Sequence, residues 1–269
     1  MQMRREIRMG GIIFCNTIFI AVFIILLFII SGPRWAGATD EPSDVKTIID
    51  RVDKLYRSST SYSEVEMKVV SEHWERTLTM NMWTEGMNRT FIYVTSPKKE
   101  EGMATLRVKS EMWNYFPKIN KVMKVPPSMM MGSWMGSDFT NDDLVKESSL
   151  LRDYDAALIH PDNEEPDYYY IELIPKKETP SVWGKIIFTI RKEDYIPVTE
   201  VFYNEKGEQM RSMTFKDIRI FNGRKLPVIL EMVPLHKTGQ KTIIRYIDVR
   251  FDERIDNDVF TLRNLQKRR

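Results

Sequence analysis

The sequence predicts a mainly β (α+β) domain: about a dozen antiparallel strands curling into a barrel or half-barrel, with one helix at the start and one near the middle. Three observations carry this. Apolar and polar residues alternate with period two through most of the chain after residue 60, as in 76–85, where Leu78, Met80 and Met82 alternate with Thr77, Thr79 and Asn81. Turn signals separate these runs at short spacing, the sharpest being Asn222-Gly223, because a type I′ hairpin needs positive φ at both places. Helical periodicity is confined to residues 44–57 and 142–149.

The first 38 residues stand apart. Arg4, Arg5 and Arg8 precede an almost wholly apolar stretch over 12–30, Pro33 breaks it, and Ala36-Gly37-Ala38 offers a small-x-small cleavage site. That is the pattern of a secretory signal peptide, so 1–38 is expected to be removed and 39–269 to form one exported domain. The apolar stretch is also long enough to span a bilayer, which leaves an inner-membrane signal anchor as the alternative. Cleavage removes Cys15, the only cysteine, so no disulfide can staple the domain. It also removes four Arg and one Glu, and the remaining net charge of −1 argues against nucleic acid as a partner.

In chain order, residues 44–57 place Val45, Ile48, Ile49, Val52, Leu55 and Tyr56 on one helical stripe, with Ser43 as the expected N-cap. Strands follow over 62–70, 76–85, 90–95, 103–109 and 112–116, the last ended by Pro117. Lys118, Lys121 and Lys124, with Arg107 and Lys109, are read either as a solvated edge or as a basic rim that attracts anionic lipid headgroups. A lid segment is expected over about 126–150. It begins at Pro126-Pro127 and carries Met129, Met130, Met131, Trp134, Met135 and Phe139, with bends at Gly132 and Gly136. Thr140, then Asp142 and Asp143, reads as a helix N-terminus. These soft apolar residues are either a mobile lid over a greasy cavity or an ordinary core plug. On the lid reading, an Asp at position 134 is expected to impair uptake and spare the fold.

The second half contains strands over 153–159, 168–175, 185–191, 197–204, 209–221, 225–234 and 241–251. A small apolar anchor of Val259, Phe260 and Leu262 closes the chain. From spacing alone, such a meander has either a filled or a hollow interior.

The chemistry points away from catalysis. His73, His160 and His236 have no ligand-like spacing, and no phosphate loop, nucleophile elbow or zinc-protease motif is present. No enzyme activity, cofactor or metal centre of the usual kind is expected. One metal reading stays open, because Met129, Met130, Met131 and Met135 offer thioethers to Cu(I), with Trp134 beside them. A structural or adaptor domain of an envelope complex is the other alternative.

Several of these residues resemble a known family. Glu111-Met112-Trp113-Asn114-Tyr115-Phe116-Pro117, Lys118, Lys121, Met131-Gly132-Ser133, Gly136-Ser137-Asp138-Phe139-Thr140 and Asp143-Leu144 resemble the LolA-like outer-membrane lipoprotein-sorting proteins, and within them the larger branch associated with resistance-nodulation-division-type lipid exporters. The order of signal peptide, helix and meander is similar, as is the ending Phe260-Thr261-Leu262-Arg263-Asn264-Leu265. The resemblance implies an unclosed antiparallel β-barrel with a helical lid over an apolar cavity that ferries acyl chains of lipoproteins or lipids across the periplasm. The chain is then expected to be monomeric, with an inner-membrane exporter and an outer-membrane acceptor as partners. The acyl-binding surface is assigned to Leu78, Met80, Met82, Met103, Trp113, Tyr115, Met129, Met130, Met131, Trp134, Met135 and Phe139. Gly132, Gly136, Asp138 and Thr140 form the lid framework. In this family an arginine on an early strand governs release, and Arg76 and Arg89 are the candidates here.

Overall fold

The computed structural model describes residues 44–56, 58–146, 150–179 and 181–267. The expected signal segment, its anchor alternative, Cys15 and the Ser43 cap lie outside the described residues. Among the described residues no helix is long and apolar enough to cross a membrane.

Alternation and turns build one thirteen-stranded antiparallel sheet. Its first six strands are β1 (Thr60–Val70), β2 (Glu75–Glu85), β3 (Arg89–Ser96), β4 (Ala104–Val108), β5 (Glu111–Phe116) and β6 (Lys121–Lys124). The return half comprises β7 (Tyr154–Ile159), β8 (Tyr168–Pro175), β9 (Lys185–Arg191), β10 (Pro197–Tyr203), β11 (Gln209–Phe221), β12 (Arg224–Pro234) and β13 (Lys241–Phe251). Strand order is β6-β5-β4-β3-β2-β1-β13-β12-β11-β10-β9-β8-β7, so the two halves join through β1 and β13 and the free edges are β6 and β7. The sheet is therefore a strongly curved, unclosed barrel. Register shifts at Glu64/Val65, Thr79/Met80 and Pro197/Thr199 mark where ladders bend. The type I′ turn expected between β11 and β12 forms, with φ of 47° at Asn222 and 80° at Gly223.

Among the described residues four short α-helices accompany the sheet: α1 (Val45–Asp53), α2 (Asn141–Lys146), α3 (Leu150–Asp153) and α4 (Leu262–Leu265). The cap of α1 is Asp44, whose carboxylate accepts the Lys46 N–H at 3.1 Å, and the helix stops four residues before the expected end. Strand β6 falls where the sequence reads only as lysines around Val122 and Met123. An edge strand tolerates them because one side of its ladder faces water.

Period two sorts the core by face. On the concave face Val65, Met67, Val69, Leu78, Met80, Ile92 and Val94 pack with Leu226, Val228 and Leu230 across the β1–β13 junction. Helix α1 sets Ile48, Ile49 and Val52 against Phe139, Tyr154 and the inward residues of β8 and β9. Intervening residues Phe91, Tyr93, Leu106 and Tyr115 pack on the other side with Phe260 and Leu265. The C-terminal anchor is thus Phe260 and Leu265, because Leu262 at the start of α4 is 46 % exposed.

Candidate functional site

The concave face holds a space of about 150 Å³ roofed by residues 134–144. Its floor comes from both halves: Val65, Met67, Met80 and Met82 on one side, and Met213, Leu230, Met232 and Tyr246 on the other. Trp134, Phe139 and Leu144 close it from above. Polar groups gather at one end, where Asp142, Asp143, Glu200 and Arg211 reach the lining.

The roof is a stapled loop rather than a loose flap. The Trp134 N–H donates to the Phe139 carbonyl at 2.7 Å, and the Ser137 N–H to the Trp134 carbonyl at 3.0 Å. Between them Met135 and Gly136 take positive φ, 47° and 72°, the geometry of a type I′ turn. Helix α2 then starts with a reciprocal cap: Thr140 Oγ1 accepts the Asp143 N–H at 3.1 Å, and Asp143 Oδ2 accepts the Thr140 N–H at 2.7 Å. The lid expected to be helical has one 3-10 turn at Pro127–Met129 and becomes α-helical only from Asn141 on.

Three clasps tie this loop to the sheet. On β11, Arg211 donates to both carboxylate oxygens of Asp143 at 2.8 and 2.6 Å and to the Asp138 carbonyl at 3.3 Å. Its guanidinium lies 4.2 Å from the Phe202 ring centre and 4.5 Å from that of Trp183, which places a buried cation against two aromatic faces. On β13, Thr242 Oγ1 donates to the Asp138 carboxylate at 2.7 Å and accepts the Asp138 N–H at 2.9 Å, and Gln240 adds a bond at 2.6 Å. On β2, Arg76 donates to the Met135 carbonyl. Arg89 does not approach the roof; it pairs with Glu85 and lies 5.2 Å from the Phe260 ring.

The wall contains a titratable tyrosine as well. Burial pushes the Tyr154 hydroxyl above its ordinary range; the Ser181 hydrogen bond opposes this, and the charges of Asp142, Glu200 and Asp143 add to it.

The residues assigned from sequence fall in several places. Met80, Met82, Trp134 and Phe139 line the central space. Met103, Tyr115, Met129 and Met135, with Gly136, line a separate groove of about 400 Å³ between the lid and the β4–β6 edge. Leu78 is part of the concave core. Met130 and Met131 are half-buried and border neither space. Trp113 lies on the opposite face beside the C-terminal anchor, with Lys124 Nζ 5.5 Å from its ring, because it is out of phase with Met112. A methyl group on Gly132 would sit 3.0 Å from the Met129 carbonyl oxygen, so the turn there has little room for a side chain.

Two expectations change. Trp134 is 3 % exposed, packs in the main core and donates its indole N–H to Thr105 Oγ1 at 3.1 Å, so it is a core position and not a dispensable flap residue. Arg107 does not belong to a basic rim; it is buried and donates to the Met87 carbonyl and Thr90 Oγ1.

Sequence reasoning missed Arg211, Trp183, Phe202 and the methionines of β11 and β12. The inward phase shared by Leu226, Val228, Leu230 and Met232 was the available signal for the second wall.

The thirteen-stranded open barrel matches the LolA-like fold. A family model described only as uncharacterized protein-like matches residues 86–267, more than half of the chain, and the chain belongs to that family. A DUF1329 family protein from Desulfovibrio piger superposes with a TM-score of 0.75 at 20 % identity, over 81 % of this chain and 96 % of the other. A domain described as that of an outer membrane lipoprotein-sorting protein, from Vibrio parahaemolyticus, gives 0.69 at 19 % identity, over 82 % and 96 %. A LolA superfamily protein from Nitrosomonas europaea gives 0.68 at 18 % identity, over 81 % and 98 %. No curated protein matches.

Proposed function

We propose that this protein is a periplasmic carrier that shields acyl chains of lipoproteins or lipids on its concave face and passes them from an inner-membrane exporter to an outer-membrane acceptor. The observation that carries this reading is the apolar space shared by both halves of the sheet beneath a roof held by polar clasps. Each buried methylene contributes about 0.8 kcal/mol, so a chain of a dozen carbons binds without polar contacts. The roofed space of about 150 Å³ matches one that accepts a single aromatic ring, so a whole chain needs the roof to lift. Clasps made of hydrogen bonds and one ion pair suit such a part, since water can replace them when it opens. The lipoprotein-sorting description of the Vibrio parahaemolyticus domain adds support at the level of fold.

The test is extraction of the protein, purified as the cell exports it, into organic solvent for mass spectrometry. Co-purifying or exchangeable acyl lipid is expected; its absence under gentle purification counters carriage.

One observation favours a second reading. Met103, Met123, Met129 and Met135 line the same outer groove, and thioethers are soft ligands for Cu(I). A Cu(I) titration under reducing conditions decides it: copper handling requires tight binding that disappears when Met123, Met129 and Met135 become Leu.

A further inference from the structure

The outer groove has a polar feature that the methionines around it do not explain. Two buried atoms of residues on its lining make no hydrogen bond: Nε of Arg76 and Oδ1 of Asn141. Asn141 is only 6 % exposed. Its amide orientation is fixed, because Nδ2 donates to two carbonyls, those of Met129 at 3.1 Å and Gly132 at 3.2 Å. Carbonyls can only accept, so the oxygen is the atom left without a donor. Arg76 donates to the Met135 carbonyl through Nη2, and its Nε–H has no acceptor. Buried polar groups nearly always find partners, so an orphan donor and an orphan acceptor on one groove point to a group that arrives from outside.

We propose that this groove is a second subsite, one that takes the polar head of an acylated amphiphile that carries both a donor and an acceptor, the chemistry of a secondary amide. The amide C=O accepts from Arg76 Nε, the amide N–H donates to Asn141 Oδ1, and the chain lies along Met103, Met123 and Met129. A carboxylate satisfies Arg76 but sets an anionic oxygen against Asn141, and an ester lacks the N–H. Access requires the turn around Met129 to shift, and that residue is 57 % exposed. The inference rests on the acyl-chain reading and adds to it a rule for the head group.

The experiment compares two probes of equal length, N-methyldodecanamide and methyl dodecanoate, by titration calorimetry on the exported protein. They differ in one N–H. The amide is expected to bind about tenfold more tightly, the effect of one net hydrogen bond with an otherwise orphan acceptor. Met103→Trp, which fills the groove, is expected to erase that preference while both probes still bind the central space. Asn141→Leu is expected to erase it too, and a circular dichroism melt of that variant confirms that the fold is kept. Equal affinity of the two probes for the unaltered protein overturns the subsite and leaves carriage standing. Failure of both probes to bind overturns the acyl-chain reading and the subsite with it.

Discussion

Removing the Asp143 carboxylate is expected to cost more than any other single change at the roof. Arg211 is buried, with its side chain 6 % exposed, while that of Asp143 is 20 % exposed. In Asp143→Leu the guanidinium keeps the Asp138 carbonyl and two aromatic faces but loses both charge-assisted bonds. Breaking a buried pair from one side costs about 3–5 kcal/mol. Loss of the reciprocal cap with Thr140 adds about 1 kcal/mol. For a domain of this size about 1 kcal/mol corresponds to roughly 2–4 °C in Tm, so a fall of about 8–24 °C is expected. Arg211→Met combined with Asp143→Leu removes the stranded charge along with its partner, and the double variant is expected to recover to within about 2 kcal/mol of the parent. Denaturant melts of the four proteins give the coupling, and hydrogen exchange at the Trp134 and Ser137 amides reports whether the roof opens faster. Single-variant losses below about 1 kcal/mol, or additive effects in the double variant, refute the idea that this ion pair clasps the roof.

Three other predictions follow from the geometry. Trp134→Ala leaves a hole in the main core and is expected to cost about 3–5 kcal/mol in a denaturant melt; a cost under about 1 kcal/mol means that the indole is a removable flap after all. A methyl group on Gly184 would sit 2.5 Å from the Asn204 carbonyl oxygen, so Gly184→Ala is expected to destabilise by about 1–3 kcal/mol by forcing β9 away from the β10–β11 turn, and a neutral result contradicts that close approach. The third concerns pH. Burial raises the Glu231 and Asp194 carboxyls, but Lys216 and Lys241 in one case, and Arg191 and Lys225 in the other, outweigh it and hold both below the usual carboxylate range. The unfolded chain takes up these protons first, so their contribution is complete at neutral pH and is lost as pH falls below about 4. Thermal melts from about pH 6 to about pH 3 are expected to show a shallower decline in Glu231→Gln than in the parent, and an unchanged slope contradicts the assignment.

The strands were legible because one face of nearly every one is buried and glycine or asparagine marks the turns. The ranges 168–175, 185–191, 209–221 and 241–251 read from alternation coincide with β8, β9, β11 and β13. Strand β6 escaped because its pattern is that of a solvated lysine cluster, and only pairing with β5 makes it a strand. In the site, the roof's composition was visible, yet which of its apolar residues point inward was not. Loop side chains lack a period, and the type I′ turn at Met135-Gly136 decides that Trp134 is buried while Met129 faces out. Arg211 was hidden for a different reason. A lone arginine in a strand reads as solvated, and its burial depends on Asp143, 68 positions away in sequence.

Acyl carriage on the concave face meets its sharpest test in an isotope-edited nuclear Overhauser measurement on protein carrying ¹³C-methyl methionine and loaded with a protonated acyl chain. Contacts are expected from the chain methylenes to the methyl groups of Met67, Met80, Met213 and Met232, which come from four strands and share only the concave space. Contacts confined to Met210, which lies beside Asn204 and His236 away from that space, or no contacts in a sample shown to hold lipid, contradict carriage there.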